Sequence, residues 1–140
     1  MSKPLIHAQS SARKFGGIAS DYMKIHEVMD SSKSITSLPT HRAITHNTYF
    51  ISYIMPLIFG ETFKRASDGK EISTRDICEQ HVAEDFKGFI PSASDFLDAL
   101  NVDDWMVNGK GKPPSHALIV KTLKPATVNR NRFPEEMRID

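Results

Sequence analysis

The segment Thr74–Phe86, TRDICEQHVAEDF, places a histidine where a helix would ordinarily carry a hydrophobe. At helical spacing Ile77, Cys78, His81, Val82 and Asp85 share one face, with Glu84 at its edge. His26 and Asp30 repeat the same interval. An imidazole and a carboxylate one turn apart can form a hydrogen-bonded pair, which must be satisfied if buried. They can equally belong to a site that binds a metal ion or moves a proton. His81 and Asp85 are the catalytic candidates, because their apolar neighbours imply burial. His26 and Asp30 lie at the polar edge of their stripe and fit a structural pair better.

Histidines stand at positions 7, 26, 41, 46, 81 and 116. His41 and His46 are five residues apart and diverge on a helix, whereas Arg42 and His46 share a face. If the helices carrying them bundle together, then His26, Asp30, His41, His46, His81 and Asp85 converge. Inward-facing histidines and carboxylates on facing helices are how bundle metal sites are built. Such a donor set suits zinc or a harder divalent ion. HExxH and paired CxxC motifs are absent. Cys78 precedes His81 by three residues, but on the presumed core face a free thiol is an inert small hydrophobe. Near the start, Ser10, Ser11, Arg13 and Lys14 precede Gly16-Gly17 and could bind an anion. The alternative there is a flexible, solvated N-terminal segment.

The elements that must position these groups are mostly helical. Ile18, Tyr22, Ile25 and Met29 step by four, three and four and predict a helix over Ile18–Ser32. SSKSITSLPT reads as a loop, with Pro39 suited to the first turn of a helix running from about Thr40 toward Phe59. Its second half, YFISYIMPLIF, is apolar nearly all round, and Pro56 kinks or ends it. SDGK predicts a tight turn and a short hairpin within Thr62–Ser73. Thr74, or Ser73 with Asp76, caps the His81 helix, and Ser92 with Asp95 opens a further short one. Trp105-Met106 reads as a core anchor; an exposed Trp105 would instead mark an interface.

With 140 residues, 39% of them hydrophobic and 25% charged, the chain is sized for one domain with a modest core. A net charge of +1 excludes a surface that is basic overall. Val107–Phe133 nevertheless carries Lys110, Lys112, Lys121, Lys124, Arg130 and Arg132 and no acid, and its glycines and prolines disfavour a long helix. Only His116–Leu123 has strand-like or short-helix character. As an extended arm this segment could touch nucleic-acid phosphates. Apart from Phe133 it lacks aromatics for base stacking, and a protein partner suits it equally well. A single cysteine fits a reducing compartment. The start lacks a signal-peptide apolar core, and Tyr49–Phe59 is too short to cross a bilayer. The expectation is a cytoplasmic protein without membrane attachment.

HAQSSARKFGG, DYMKIHEVMDSSK, HRAITH and EQHVAEDFKGFIPSASDFLDAL followed by Trp105-Met106 together resemble a family of small proteins with no assigned activity. That family occurs in bacteriophages, prophages and bacteria. The resemblance runs from His7 to Met106, is most specific in the EQHVxED…IP…D block, and stops short of the basic arm. It matches His7, Ser10, Lys14, His26, Asp30, His41, Arg42, His46, Glu79, His81 and Asp85. What it implies is one shared polar centre, with His7, Ser10, Lys14, Arg42 and Glu79 as ligand-binding candidates.

The expected architecture is mainly α: a helical domain over residues 1–108, with three to four helices and a β-hairpin, then an extended basic arm over 109–140. The expected function is that of a phage-type accessory protein. It would act without catalysis by binding a host or phage partner (a protein or an anionic ligand), or another copy of itself. The alternative is a metal-dependent hydrolase of a phosphorylated or nucleotide substrate.

Overall fold

The computed structural model describes residues 3–120. Two compact units divide the chain, Met1–Leu100 and Asn101–Asp140. In the first unit helices α1 (Pro4–Phe15), α2 (Met23–Met29), α3 (Arg42–Thr45) and α4 (Met55–Phe59) precede an antiparallel hairpin of β1 (Thr62–Lys64) and β2 (Glu71–Ser73). Helices α5 (Thr74–Asp85) and α6 (Ala93–Leu97) follow. Among the described residues the fold is mainly helical with one short hairpin, as the patterning predicts.

The N-terminal segment is a helix and not a solvated strand of chain. Pro4 occupies the first turn, where its missing N–H costs nothing. The face that α1 buries is His7, Ala8 and Ser11, with Ala12 and Phe15 packed beside the core. Because that face is largely polar, hydropathy does not display it. The helix stops at Gly16, where φ is +94°, followed by Gly17 at +75°. A Cβ on Gly16 would meet the Arg65 guanidinium at 3.0 Å, and one on Gly17 would meet Asp21 Oδ2 at 2.4 Å. Arg65 donates to Phe15 O at 2.6 Å and Tyr22 Oη at 3.2 Å, and pairs with both oxygens of Asp68 at 2.7 Å. The Gly16-Gly17 step is therefore a seat for Arg65.

Two helices predicted as continuous are divided. Ile18–Ser32 becomes a 3-10 turn at Ala19–Asp21, then α2, then a second 3-10 turn at Ser31–Ser34. Tyr22, Ile25 and Met29 are buried as their spacing requires, while Ile18 is 56% exposed. The stretch from Thr40 to Phe59 breaks after Thr45, where His46 takes φ −98° and ψ 56°. Asn47 then receives the Phe50 N–H on its side-chain oxygen at 2.9 Å and restarts the chain. A π-helical turn over Phe50–Ile54 leads into α4. Pro56 has no N–H to give the preceding turn, which accommodates the wider π spacing.

The hairpin pairs Phe63 with Ile72, and both side chains pack against the core. Ser73 caps α5 by accepting the Asp76 N–H at 3.3 Å, and Ser92 with Asp95 forms the capping box of α6. The core comprises Ala8, Tyr22, Ile25, Met29, Ile51, Met55, Ile77, Cys78 and Val82. Burial pushes the Cys78 thiol up to about 12, so it stays protonated and serves as packing. Buried polar residues outnumber buried apolar ones among the described residues. A domain of this size can bear that only if the polar groups satisfy one another.

In the second unit the described part contains α7 (Asp104–Asn108). Trp105 is 37% exposed and Met106 42%, so neither is the core anchor their types suggest. Lys110 and Lys112 are exposed, and residues 116–120 form no strand. Lys121, Lys124, Arg130, Arg132 and Phe133 of the basic arm lie outside the described residues. No described helix is long and apolar enough to cross a membrane.

Candidate metal centre

Four segments deliver side chains to one buried point. Helix α1 supplies His7, and the residue that closes α2 is Asp30. The break after α3 turns His46 inward, and α5 contributes His81 and Asp85 from one face. His7, His46 and His81 are at most 1% exposed, and the side chains of Asp30 and Asp85 are 4% and 6% exposed.

His46 Nε2 lies 2.8 Å from Asp85 Oδ2 and 3.9 Å from Asp30 Oδ1. His81 Nε2 lies 3.2 Å from Asp30 Oδ1 and 3.5 Å from Asp85 Oδ2. All four ligand atoms fall within 4.8 Å of one another. Bonds of about 2.0–2.1 Å to a tetrahedral ion put neighbouring ligands about 3.4 Å apart. The observed separations bracket that edge length.

Which ring nitrogens carry protons follows from the outer contacts. Ser11 Oγ touches Gln80 Oε1 at 2.5 Å, His7 O at 3.1 Å and His26 Nε2 at 2.7 Å. Both carbonyl oxygens can only accept, so the single hydroxyl hydrogen goes to them and His26 Nε2–H donates to Ser11. Burial, with the neighbouring His81 and His7, lowers the His26 pKa to about 3, so this ring is neutral and its Nδ1 accepts. His81 Nδ1 stands 2.8 Å away and must be the donor. Burial also lowers the pKa of His81. A neutral His81 protonated on Nδ1 leaves Nε2 as a bare lone pair facing two carboxylates.

His46 follows the same logic. Thr45 Oγ1 gives its hydrogen to Met29 O at 2.7 Å, so His46 Nδ1–H donates to Thr45 Oγ1 at 2.8 Å. Its Nε2 is the atom turned toward Asp85. Lone pairs packed against carboxylates repel unless a cation lies between them. Protons would require a buried imidazolium for each contact, whereas one divalent ion serves them all. Burial works against both carboxylates, and with no cation between them it is protons on the facing imidazoles that hold them below their ordinary range: His81 for Asp30, His46 and His7 for Asp85. A divalent ion in the same place would supply that positive charge without buried imidazolium.

A family model described as Domain of unknown function (DUF6915) matches residues 2–106. The chain belongs to the DUF6915 family. No curated protein and no solved structure matches it. Within this DUF6915 region the structure sorts the candidate residues into three groups. Asp30, His46, His81 and Asp85 form a buried cage that could hold a metal ion. His26 stands behind His81 as its hydrogen-bond acceptor, and the Asp30 carboxylate turns to His81 and Lys33 and not to His26. His41 bonds Ser32 Oγ at 2.8 Å, one step outside the cage.

Of the ligand-binding candidates in the DUF6915 chain, His7 borders the cage, 3.3 Å from Asp85 Oδ1. Ser10 donates to Glu84, which also receives His7 Nδ1 at 2.9 Å and Gln80 Nε2 at 2.5 Å. The Lys14 amine sits over the ring of Phe15, and Arg42 over the ring of Phe86. Glu79 pairs with Arg75 at 2.8 Å and takes no part in the cage. Gln80 and Thr45 are the supporting residues that spacing does not reveal. Thr45 accepts the inner hydrogen bond of His46, its neighbour in sequence, and Gln80 accepts from Ser11 and donates to Glu84, contacts made only once helices pack. Such outer partners fix the tautomer and direction of metal-binding histidines.

Proposed function

We propose that this DUF6915 chain is a metal-dependent hydrolase whose ion is held by Asp30, His46, His81 and Asp85. The observation that carries the reading is the committed Nδ1 hydrogens of His46 and His81, which leave both Nε2 lone pairs aimed at the Asp30 and Asp85 carboxylates. Imidazole and carboxylate donors without thiolate characterise reactive centres more than structural zinc sites. The chemistry such an ion supplies is activation of bound water and polarisation of a phosphoryl or carbonyl oxygen.

Two cations, Lys33 and Arg42, direct the reading toward a phosphorylated or nucleotide substrate. Lys33 Nζ lies 3.4 Å from Asp30 Oδ2. Arg42, above Phe86, has a buried Nε–H that donates no hydrogen bond. The test is hydrolysis of chromogenic phosphomonoesters, phosphodiesters and nucleotides by the protein loaded with manganese, iron, cobalt or zinc. We expect turnover that His46→Ala lowers at least ~1,000-fold, the scale of about 4 kcal/mol of transition-state stabilisation. Ion-loaded protein that hydrolyses none of these substrates overturns the hydrolase reading.

A second reading is the non-catalytic accessory protein of a phage or its host. Tyr49, Tyr53 and Leu57, at successive helical turns, are 54%, 58% and 70% exposed, and the two tyrosine rings stack at 5.6 Å. Exposed aromatics so arranged supply the anchors of protein interfaces.

A further inference from the structure

The cage of four leaves one neighbouring group unexplained. His7 Nε2 is a buried polar atom with no hydrogen-bond partner. The ring is 1% exposed and stacks on His81 with centroids 3.8 Å apart. Its other nitrogen is accounted for: Glu84 accepts from Nδ1 at 2.9 Å, and Ser10 and Gln80 in turn hold Glu84. With Nδ1–H committed to Glu84, His7 has only Nε2 left to offer an ion as a lone pair, and that atom lies 3.3 Å from Asp85 Oδ1. Asp85 Oδ2 is the oxygen that faces His46 and His81. The two oxygens of one carboxylate thus open onto histidines from different helices.

From this arrangement we infer that His7 is a fifth protein ligand of the centre, entering on the Oδ1 side of Asp85. The inference rests on the metal-dependent reading above and deepens it. The separation of 3.3 Å is that of adjacent ligands on an ion that reaches Oδ1 of Asp85. The Glu84–His7 bond repeats the carboxylate–histidine pairing that fixes metal-binding imidazoles in place. Leaving such a nitrogen unpaired in the interior would cost stability with no return.

Five donors, three imidazole and two carboxylate, change which ion fits. Structural zinc prefers four ligands in a tetrahedron. A five-donor set with room for a water suits manganese, iron or cobalt in near-octahedral geometry. The ion would also tie α1 to α5 and to the segments carrying Asp30 and His46.

The experiment uses the full chain, freed of metal and reloaded with manganese, cobalt or zinc alone. X-ray absorption of the unmutated cobalt and manganese forms counts coordinated imidazoles and does not depend on any variant folding. Three imidazoles are expected, and two would overturn the inference while leaving the ion site intact. His7→Ala, with its fold checked by circular dichroism, should weaken manganese binding at least ~100-fold, beyond the ~10–100-fold typical of a group that only orients a ligand. Its cobalt complex should show the stronger visible absorption of a lower coordination number. Unchanged affinity and spectrum in His7→Ala, alongside loss of binding in His81→Ala, would also overturn it. Unmutated protein that takes up no ion would overturn both this inference and the reading beneath it.

Discussion

Removing the ion with a chelator lowers the midpoint of thermal unfolding by about 10–20 °C, and readdition of the ion restores it. An ion present at a hundredfold its dissociation constant stabilises the folded state by about 2.7 kcal/mol. In a domain of about 60–100 residues each kcal/mol moves the midpoint by about 4–8 °C. The physical cause is specific to this interior. Without a cation, the lone pairs of His46 and His81 face the ionised carboxylates of Asp30 and Asp85 at 2.8–3.9 Å. The chain must then draw in protons against burial or let the segments separate. Differential scanning calorimetry with and without chelator checks this, and a midpoint that does not move contradicts it.

Mild acid is the second large effect. In the metal-free protein, stability falls as pH drops below about 6.5, the ordinary histidine value. Burial first, then the adjoining His81 and His7, hold the folded-state pKa of His26 at about 3. Between that value and about 6.5 the unfolded chain binds the proton and the folded chain does not, so stability rises with pH across the window. His81 and His41 act in the same direction, each lowered chiefly by burial. His7 opposes them. Burial disfavours its charge, but the Asp85 and Glu84 carboxylates prevail and raise its pKa, so its contribution is present below about 6.5 and fades as pH rises. The lowered groups outnumber it. Asp30 and Asp85, both depressed, add a further loss below about pH 4.

Each pH unit below about 6.5 should cost about 1.4 kcal/mol for a histidine that stays neutral when folded. Urea midpoints followed from about pH 7 to about pH 5 should therefore fall, and His26→Gln should flatten the slope. A wild-type midpoint that stays level over that range would contradict the assigned neutral tautomer of His26.

The same contrast between local and long-range order explains what the sequence discloses. His81 and Asp85 share a face because one helix carries both, and their interval of four is enough to show it. Ser73 and Ser92 announce α5 and α6 because a cap is a contact across three residues. Helix α1 is hidden because the face it buries reads His7, Ala8 and Ser11, which no hydropathy pattern marks as interior. The division of Thr40–Phe59 depends on Asn47 accepting the Phe50 N–H and on the π turn before Pro56, both masked by an apolar run. His26 and His46 look alike in sequence, each a histidine within a predicted helix. Packing separates them: His46 turns its Nε2 to Asp85, while His26 turns its Nδ1 to another histidine. No spacing rule distinguishes those outcomes, because the partners lie 39 and 55 residues away.

The metal content of the purified native protein, measured by elemental mass spectrometry beside His81→Ala, tests the central claim most directly. About one equivalent of a divalent transition metal per chain is the predicted result, with loss of that ion in the variant. Native protein that carries no metal and takes up none when manganese, iron, cobalt or zinc is supplied would contradict the account.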